Sequence, residues 1–161
     1  MTKTAIITGG GSGLGQSTAI RMAQEGINIA VVDVSEKGGN ETVEKVKAHG
    51  VDALFIKADV SKAEEVKKYV DQTMEKFGSI DYFFNNAGIS GSGKYYLDTT
   101  IEEIEQIVGI NLLGALYGVR YVAEVMLKNG GGAIVNTASS AGVIGQDSVV
   151  TYSATKHGII G

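Results

Sequence analysis

Short apolar runs alternate along the chain with longer segments of helical period, and this alternation restricts the fold more than any other feature. Each run is rich in Val, Ile or aromatic residues and is bounded by glycine or polar turns, which is typical of a strand buried on both faces. A helical segment between two such strands predicts a βαβ unit, so the strands should be parallel and covered by helices on both faces. The sequence therefore predicts an α/β fold. The predicted strands are Thr4 to Thr8, Ile27 to Asp33, Ala53 to Ala58, Ile80 to Asn85 and Ala133 to Thr137.

Capping signals predict where some of the helices begin and end. Ser61 with Glu64, and Thr100 with Glu103, have the spacing of a capping box, in which a hydroxyl and a carboxylate satisfy each other's backbone N–H groups. The glycines expected to end helices in the left-handed conformation are Gly26, Gly50, Gly78 and Gly130.

One long helix is predicted after Thr100, because apolar residues recur there at helical spacing. A further helix should begin near Tyr152, and the chain stops inside it at Gly161. Since no repeat or linker interrupts the alternation, we expect residues 1–161 to form a single domain that is truncated inside this last helix. The positions of the long helix that should face the sheet are Ile104, Ile107, Val108, Leu112, Ala115, Leu116, Val119 and Val122.

Composition excludes several classes of partner. The 14 Lys+Arg and 18 Asp+Glu form no basic block and give a net charge of -4, so neither a nucleic acid nor a membrane is expected as a partner. The absence of Cys favours a reducing, cytoplasmic setting. His49 and His157 lie far apart and outside any ligand-spaced cluster, so no metal site is expected. The segment before the first strand is too short for a signal peptide. A small soluble ligand fits these observations best.

A glycine-rich loop joins the first predicted strand to the helix that follows it. The loop reads Thr8-Gly9-Gly10-Gly11-Ser12-Gly13-Leu14-Gly15. Glycines permit positive φ and let the backbone approach a pyrophosphate, whose charge is met by the free N–H groups at a helix N-terminus. The loop therefore predicts a dinucleotide site, with a flexible turn as the alternative.

Asp33 closes the second predicted strand, where a dinucleotide-binding unit reads the adenosine ribose. A carboxylate there can accept hydrogen bonds from the ribose hydroxyls of NAD. It would repel the 2′-phosphate of NADP by roughly 4 kcal/mol per charge pair at about 4 Å and an effective dielectric near 20. No Lys or Arg lies in the loop or beside Asp33, so NAD is the predicted cofactor. A solvated acid at the end of a strand is the alternative.

Tyr152 and Lys156 are spaced i, i+4 at the start of a predicted helix, so their side chains share one face. A phenol has a reference pKa near 10, which is too high for a base at neutral pH. An ammonium about 4 Å away would favour the phenolate by a few kcal/mol and lower the pKa of the phenol toward a useful range. Because such a pair also arises by chance in helices, its spacing alone indicates this chemistry only weakly.

Several motifs occur together and in one order along the whole chain. They are Thr8-Gly9-x-x-x-Gly13-x-Gly15, Asp59-Val60, Asn85-Asn86-Ala87-Gly88, Asn111, Ser139 and Tyr152-x-x-x-Lys156. The order and approximate spacing of these motifs resemble those of the short-chain dehydrogenases/reductases. The spacing of the glycines resembles that of the compact members of that family. The resemblance implies a Rossmann-like, doubly wound parallel sheet of strand order 3-2-1-4-5. Family members usually run longer, so we expect the C-terminal part of the family fold to be absent.

The resemblance implies catalytic roles for four residues. Tyr152 would exchange a proton with the substrate oxygen, and Lys156 would lower the pKa of Tyr152 and bind the nicotinamide ribose. Ser139 would polarise the substrate carbonyl, with Ser140 as its nearest rival. Asn111 would hold a water in a proton relay to Lys156; the alternative is an Asn that acts as a cap or crosses to a neighbouring backbone. A buried Asn in an apolar helix needs one such partner.

The resemblance also implies contacts with the cofactor. Asp59 and Val60 would contact the adenine, although Asp59 could instead begin the turn before Ser61. The turn Asn86-Ala87-Gly88 would flank the adenosine ribose. Besides Tyr152 and Lys156, the predicted cofactor contacts are Gly9, Ser12, Gly13, Leu14, Gly15, Asp33, Val34, Asp59, Val60, Asn86, Ala87 and Gly88.

These observations predict an NAD-dependent oxidoreductase that transfers hydride reversibly between nicotinamide and a secondary alcohol or its ketone. The alternative is a truncated dinucleotide-binding module without catalytic activity. Residues 90–96 and 143–149 should border the substrate pocket. A homo-oligomer is expected for the full-length form, as is common in the family.

Overall fold

A parallel sheet of five strands organises the computed structural model, which describes residues 2–161. The strand order is β3-β2-β1-β4-β5, and every neighbouring pair is parallel. The predicted α/β class, strand order and all five predicted strands are therefore confirmed, each strand to within two residues. The strands are β1 (Thr4–Thr8), β2 (Asn28–Asp33), β3 (Ala53–Lys57), β4 (Tyr82–Asn85) and β5 (Ala133–Asn136).

Helices cover both faces of this sheet. The helices are α1 (Gly13–Gln24), α2 (Glu36–Lys47), α3 (Ala63–Phe77), α4 (Ile101–Val108), α5 (Gly114–Lys128) and α6 (Val150–Ile160). Successive side chains of a strand point to opposite faces. In β1, Ile7 accordingly packs in one core with α1 and α2, while Ile6 packs in a second core with α3 and α5. Both residues are fully buried, as expected for a strand covered on both sides.

The predicted helix starts have different outcomes. The Thr100 side chain accepts the Glu103 N–H at 3.2 Å, so the predicted start of α4 is confirmed. The Glu103 carboxylate accepts the Ser92 N–H instead of completing a capping box. The predicted start at Ser61 is wrong, because the N–H and hydroxyl of Ser61 both donate to the Asp59 carboxylate, at 2.9 and 2.8 Å. The helix begins two residues later, at Ala63.

Four glycines end helices in the left-handed conformation, as predicted. Their φ angles are 78° at Gly26, 80° at Gly50, 78° at Gly78 and 94° at Gly130. The last helix, predicted to begin near Tyr152, begins at Val150.

A π-helical turn, Gly109–Leu113, separates α4 from α5 and interrupts the predicted apolar stripe. An extra residue in a helical turn rotates all later positions relative to the earlier ones. The stripe is confirmed at Ile107 and Val122, which are buried, but it is wrong at Leu116, which is 54% exposed. The other predicted members are half-buried: Ile104, Val108, Leu112, Ala115 and Val119. The residues of α5 that are buried are Gly114, Gly118, Val122 and Met126.

The segment Ile101–Lys128 is also long and apolar enough to cross a membrane, judged by length and composition alone. Its inner side packs in the core of the sheet through Val122 and Met126. This placement is that of a covering helix in an α/β fold.

Candidate active site

A cleft opens at the carboxyl ends of the strands, where open α/β sheets bind their ligands. It encloses about 960 Å³ of empty volume, part of which is open to solvent. Val32, Ala58, Ile89 and Ile110 give it apolar walls. Most of the predicted cofactor contacts line this cleft: Gly9, Ser12, Gly13, Leu14, Asp33, Val34, Asp59, Val60, Asn86, Ala87 and Gly88. The cleft therefore brings together residues from four strand ends.

The glycine loop forms one wall of the cleft at the N-terminus of α1. Ser12 is the N-cap of α1, but its side chain makes no capping bond, so the first N–H groups of the helix stay free of a side-chain acceptor. Gly13 has φ 50°, and a Cβ there would meet no atom within 4 Å, so backbone conformation and not space requires glycine. Gly15 lies beneath the loop, where a Cβ would be 2.0 Å from the Gly9 carbonyl oxygen. These features fit a bound pyrophosphate.

Asp33 lies at the end of β2 with both carboxylate oxygens already engaged. One oxygen accepts the Gly11 N–H and the other the Ser35 N–H, each at 2.8 Å. An ionised carboxylate has about four lone-pair sites, so each oxygen can accept a second hydrogen bond. The carboxylate is thus oriented by the backbone and still able to accept the hydroxyls of a ribose in the cleft.

Asp59 combines the two roles that its position in the sequence allowed. It lines the cleft beside Val60. Its carboxylate also begins the turn by accepting two hydrogen bonds from Ser61. The Asp59 N–H donates to the Glu65 carboxylate at 2.8 Å, which ties the turn to α3.

Thr8, a residue of the glycine motif that we did not count among the site residues, holds the turn after β4. Its hydroxyl accepts the N–H groups of Asn86 and Ala87, at 2.9 and 3.1 Å. The Asn86 side chain donates to the Thr8 carbonyl at 3.1 Å and accepts the Thr137 hydroxyl at 3.1 Å. One threonine hydroxyl thus joins the ends of β1 and β4, and Asn86 continues the connection to β5.

Asn111 is buried in the π-turn, and its side chain crosses to a neighbouring backbone. Oδ1 accepts the Ile89 N–H at 2.9 Å, and Nδ2 donates to the Ile89 carbonyl at 2.8 Å. Nδ2 also lies 3.4 Å from the Thr155 hydroxyl, which in turn donates to the Tyr152 carbonyl at 2.7 Å. The side chain therefore crosses to a neighbouring backbone, which is the alternative that the sequence left open. The relay to Lys156 stays a prediction.

Lys156 is 4% exposed and lies beneath the Tyr152 ring, with Nζ 5.6 Å from the ring centroid. Nζ donates to the Thr137 carbonyl at 2.6 Å, which leaves two of its three N–H donors for other partners. Burial lowers the pKa of Lys156, because desolvation disfavours the ammonium. A Cβ on Gly88 would lie 3.8 Å from Nζ and 3.2 Å from Asn111 Oδ1, so the cofactor cleft reaches this group.

Ser139 follows β5 and turns the chain toward α6. Its hydroxyl accepts the Ala141 N–H at 3.2 Å, which caps the short 3-10 turn Ser140–Gly142. Gly142 packs directly on the backbone of α6, since a Cβ there would be 2.5 Å from the Lys156 carbonyl oxygen. This contact brings the Ser139 turn against the helix that carries Tyr152. Ser140 is exposed on the same turn.

Tyr152 also lines a smaller pocket, which has about 280 Å³ of empty volume. Residues 90–94, Tyr96 and Asp147 to Val149 border it, so both predicted loops contribute to it in part. Glu103 at its rim accepts the Ser92 N–H at 2.7 Å. Hydrogen bonding to the side chain and the backbone of Ser92 lowers the pKa of Glu103. Across residues 2–161, no cluster of three or more His, Cys, Asp or Glu has the arrangement of a metal site.

The doubly wound parallel sheet, the glycine turn at the start of α1 and the acid at the end of β2 define a Rossmann-like α/β protein. The model of the short chain dehydrogenase family matches residues 3–161. The chain belongs to this family.

Curated relatives and solved structures agree with that assignment. The chain is 44% identical over 161 residues to levodione reductase of Leifsonia aquatica, covering 99% of this chain and 60% of the relative. It is 39% identical over 159 residues to cyclohexanol dehydrogenase of Acinetobacter sp. (strain SE19), covering 99% of this chain and 63% of the relative.

The fold matches the crystal structure of levodione reductase with a TM-score of 0.94 and 42% identity, over 98% of this chain and 62% of that one. NAD+-bound xylitol dehydrogenase gives a TM-score of 0.94 and 35% identity, over 98% and 61%. A mutant actinorhodin polyketide ketoreductase solved with NADPH gives 0.92 and 33%, over 99% and 61%. The chain thus spans about 60% of the length of these relatives.

Proposed function

We propose that the protein is an NAD-dependent oxidoreductase that interconverts a secondary alcohol and its ketone, with Tyr152 as general acid and base. One observation carries the proposal: Lys156, which is 4% exposed, lies under the ring of Tyr152. Its Nζ is close to Gly88, a lining residue of the cleft that the glycine turn and Asp33 also line. A buried ammonium is costly, so its retention beside a phenol supports a role in proton transfer.

The residues of the cleft fit a nicotinamide dinucleotide. The free N–H groups at the start of α1 bind the pyrophosphate, and Asp33 accepts hydrogen bonds from the adenosine ribose. The two remaining N–H donors of Lys156 are within reach of the nicotinamide ribose, because Gly88 lies between the cleft and Nζ. Bound NAD would supply the hydride acceptor of the oxidation, and its reduced form the hydride donor of the reverse reaction.

The side chains of the site transfer the proton and stabilise the charge that develops on the oxygen. Tyr152 accepts the proton of the alcohol in oxidation and returns it to the oxygen in reduction. Ser139 donates a hydrogen bond to the same oxygen, where negative charge develops. Asn111 holds the backbone of Ile89 beside the site, and a water bound near it would relay protons to Lys156.

NAD is the proposed cofactor in preference to NADP. The residues that line the cleft include two acids, Asp33 and Asp59, and no Lys or Arg. A 2′-phosphate would therefore meet negative charge and no cation. The neighbour with NAD+ and the neighbour with NADPH both match the fold, so this choice depends on the local charge.

A small cyclic alcohol or ketone is the proposed substrate class. Levodione reductase and cyclohexanol dehydrogenase are similar to this chain along nearly all of its length. The pocket beside Tyr152, with about 280 Å³ of empty volume, suits a compact molecule.

The test replaces Tyr152 by Phe. NADH formation is followed with cyclohexanol and acyclic secondary alcohols, and NAD binding is measured by isothermal titration calorimetry. We expect turnover to fall by at least about a hundredfold, the usual contribution of general acid–base catalysis, with NAD affinity retained. Tyr121→Phe, a partly buried tyrosine that packs in the core outside the cleft, is the control. A fully active Tyr152→Phe variant would overturn the mechanism.

Dinucleotide binding without turnover is the second candidate function. It is favoured by the exposure of β5, where Val135 is 59% exposed, and of Val143 and Ile144, each 71% exposed, next to the Ser139 turn. A protein that binds NAD with wild-type residues but oxidises none of the alcohols, while a natural longer form does, would support this candidate. We propose that residues 1–161 form a single dinucleotide-binding domain in either case.

A homo-oligomer is proposed for the full-length form. The outward side of the helix that contains α4 and α5 exposes Ile101 by 65% and Leu116 by 54%, as a helix available for contact with another subunit would. Light scattering of the full-length protein measures its molar mass and therefore its oligomeric state. Leu116→Glu, which places a charge on the proposed contact, should lower that mass. A cytoplasmic location stays a prediction.

A further inference from the structure

A closed ring of hydrogen bonds surrounds the acid that faces the adenosine end of the cleft. The ring connects residues of four elements, namely β2, the glycine loop, α1 and α2. Its members are Asp33, Gly11, Gln16, Thr42, Gly38 and Ser35, and we call it the Asp33 ring. None of the sequence motifs above includes Gln16, Thr42 or Gly38.

One half of the ring passes through two side chains. The Gly11 N–H donates to Asp33 at 2.8 Å, and the Gly11 carbonyl lies 3.5 Å from Gln16 Nε2. Gln16 Nε2 donates to the Thr42 hydroxyl at 2.7 Å. Lys45 donates to the Gln16 oxygen at 2.9 Å from outside the ring, which fixes the orientation of that amide.

The other half of the ring is formed by the N-cap and the first two turns of α2. The fully buried Thr42 hydroxyl donates to the Gly38 carbonyl at 2.9 Å. The Gly38 N–H donates to the Ser35 hydroxyl at 3.2 Å, and the Ser35 N–H closes the ring on Asp33 at 2.8 Å.

Glycine at position 38 allows α2 to approach the glycine loop closely enough to close the ring. A Cβ at Gly38 would lie 2.6 Å from the Gly11 carbonyl oxygen, and a Cβ at Gly11 would lie 2.9 Å from the Asp33 carboxylate. Backbone atoms cannot give way as a flexible side chain can. The space behind Asp33 is therefore filled by backbone, and the carboxylate cannot retreat from the cleft without opening the ring.

We propose that Gln16 and Thr42 are positioning residues for cofactor selectivity, acting through Gly11 to hold the Asp33 carboxylate in the orientation that accepts a ribose and repels a 2′-phosphate. This inference rests on the proposed use of NAD. With one N–H bound to each oxygen, each oxygen keeps one lone pair free to accept a ribose hydroxyl, and Asp33 lines the cleft. A carboxylate released from the ring loses this preorganisation and can turn away from a phosphate.

The test measures dissociation constants for NAD and NADP on the same protein by isothermal titration calorimetry. Thr42→Val removes the hydroxyl at nearly constant volume. We expect it to weaken NAD by about fivefold, the value of one hydrogen bond, and to leave NADP unchanged or slightly tighter, so that the selectivity falls by at least that factor. Thr42→Ser keeps the hydroxyl and should restore the wild-type ratio.

Thr73→Val is the matched control. Thr73 is also fully buried in a helix, and its hydroxyl also donates to the carbonyl four residues earlier, at 2.7 Å from Tyr69, but it lies in α3 away from the ring. Thr73→Val should lower the stability of the protein as Thr42→Val does, but it should leave the ratio of the NAD and NADP dissociation constants unchanged. Gln16→Met opens the ring at a half-buried position. If Thr42→Val does not fold, the ratio of the two dissociation constants is measured on Gln16→Met instead.

Two results would overturn the inference. One is equal weakening of NAD and NADP in Thr42→Val and Gln16→Met, which would show a structural role alone. The other is an affinity for both cofactors that stays at the wild-type value in both variants. A wild-type protein that binds neither cofactor, or both equally, would instead refute the proposed function and the inference with it.

Discussion

The side chain of Asn111 and the backbone of Ile89 form a reciprocal pair in which each donates one hydrogen bond and accepts one, at 2.8 and 2.9 Å. The pair joins the π-turn to the segment that follows β4. An amide side chain matches a backbone peptide in this way because both carry one donor and one acceptor on neighbouring atoms. The loop that borders the pocket beside Tyr152 is thereby anchored to the helix.

Replacing Asn111 by Ala should destabilise the protein by about 2–3 kcal/mol, since an N–H and a carbonyl of Ile89 lose their partners in a half-buried place. Urea unfolding followed by circular dichroism measures the change in the free energy of unfolding. Asn129→Ala, at the exposed end of α5, is the control and should be nearly neutral. An Asn111 variant as stable as that control would show that the pair contributes nothing.

Replacing Lys156 by Met should change how stability depends on pH. Burial lowers the pKa of Lys156 in the folded state, while the unfolded chain keeps the ordinary value of 10.5. Between the two values the unfolded state binds more protons, so this group makes the free energy of unfolding rise with pH. The difference in free energy of unfolding, wild type minus Lys156→Met, should therefore increase from neutral pH toward 10.5. Parallel pH curves for the two proteins would contradict this.

Replacing Tyr69 by Phe should leave the protein as stable or stabilise it by about 1 kcal/mol at neutral pH. Tyr69 is fully buried, and among residues 2–161 its hydroxyl has no hydrogen-bond partner. Burial also raises the pKa of Tyr69. The unfolded chain therefore loses this proton first, and above a pH of about 10 the wild type should lose stability that the Phe variant retains. Thermal unfolding at pH 7 and pH 10.5 tests both parts, and destabilisation by Phe at neutral pH would reveal a hydroxyl that is satisfied.

Replacing Thr8 by Val should weaken NAD binding and lower stability together, by about 1–3 kcal/mol in the free energy of unfolding. The hydroxyl accepts two backbone N–H groups from the turn that lines the cleft. Thr8→Ser keeps the acceptor and should behave almost as the wild type. Measurement of NAD affinity and of urea unfolding on the same three proteins separates the effects, and normal affinity in Thr8→Val would show that the turn keeps its shape unaided.

The sheet could be predicted from sequence because its information is local. The run Ala5-Ile6-Ile7 is apolar at every position, which is typical of a strand that is buried on both faces. The glycines at 26, 50, 78 and 130 act through their own φ angle, so their sites needed no knowledge of the rest of the fold.

The connections between elements could not be predicted in the same way. Ser61 has the spacing of a capping residue, yet its hydroxyl donates to Asp59 and the helix begins later, at Ala63. The partner of Asn111 is 22 residues away along the chain and that of Gln16 is 26 residues away. Such pairs depend on how helices approach the sheet, which a spacing within one segment does not encode.

The π-turn also sets limits on what this chain can tolerate. Each residue of a helix advances the side chains by about 100°, so the loss or gain of one position within 109–113 would turn the whole of α5 by that angle. The smallest residues of the helix would leave the aromatic ring of Phe83, which a Cβ at Gly118 would approach to 2.8 Å. Larger neighbours would then collide with the sheet. Natural length variation should accordingly avoid this short stretch and gather in the surface loops.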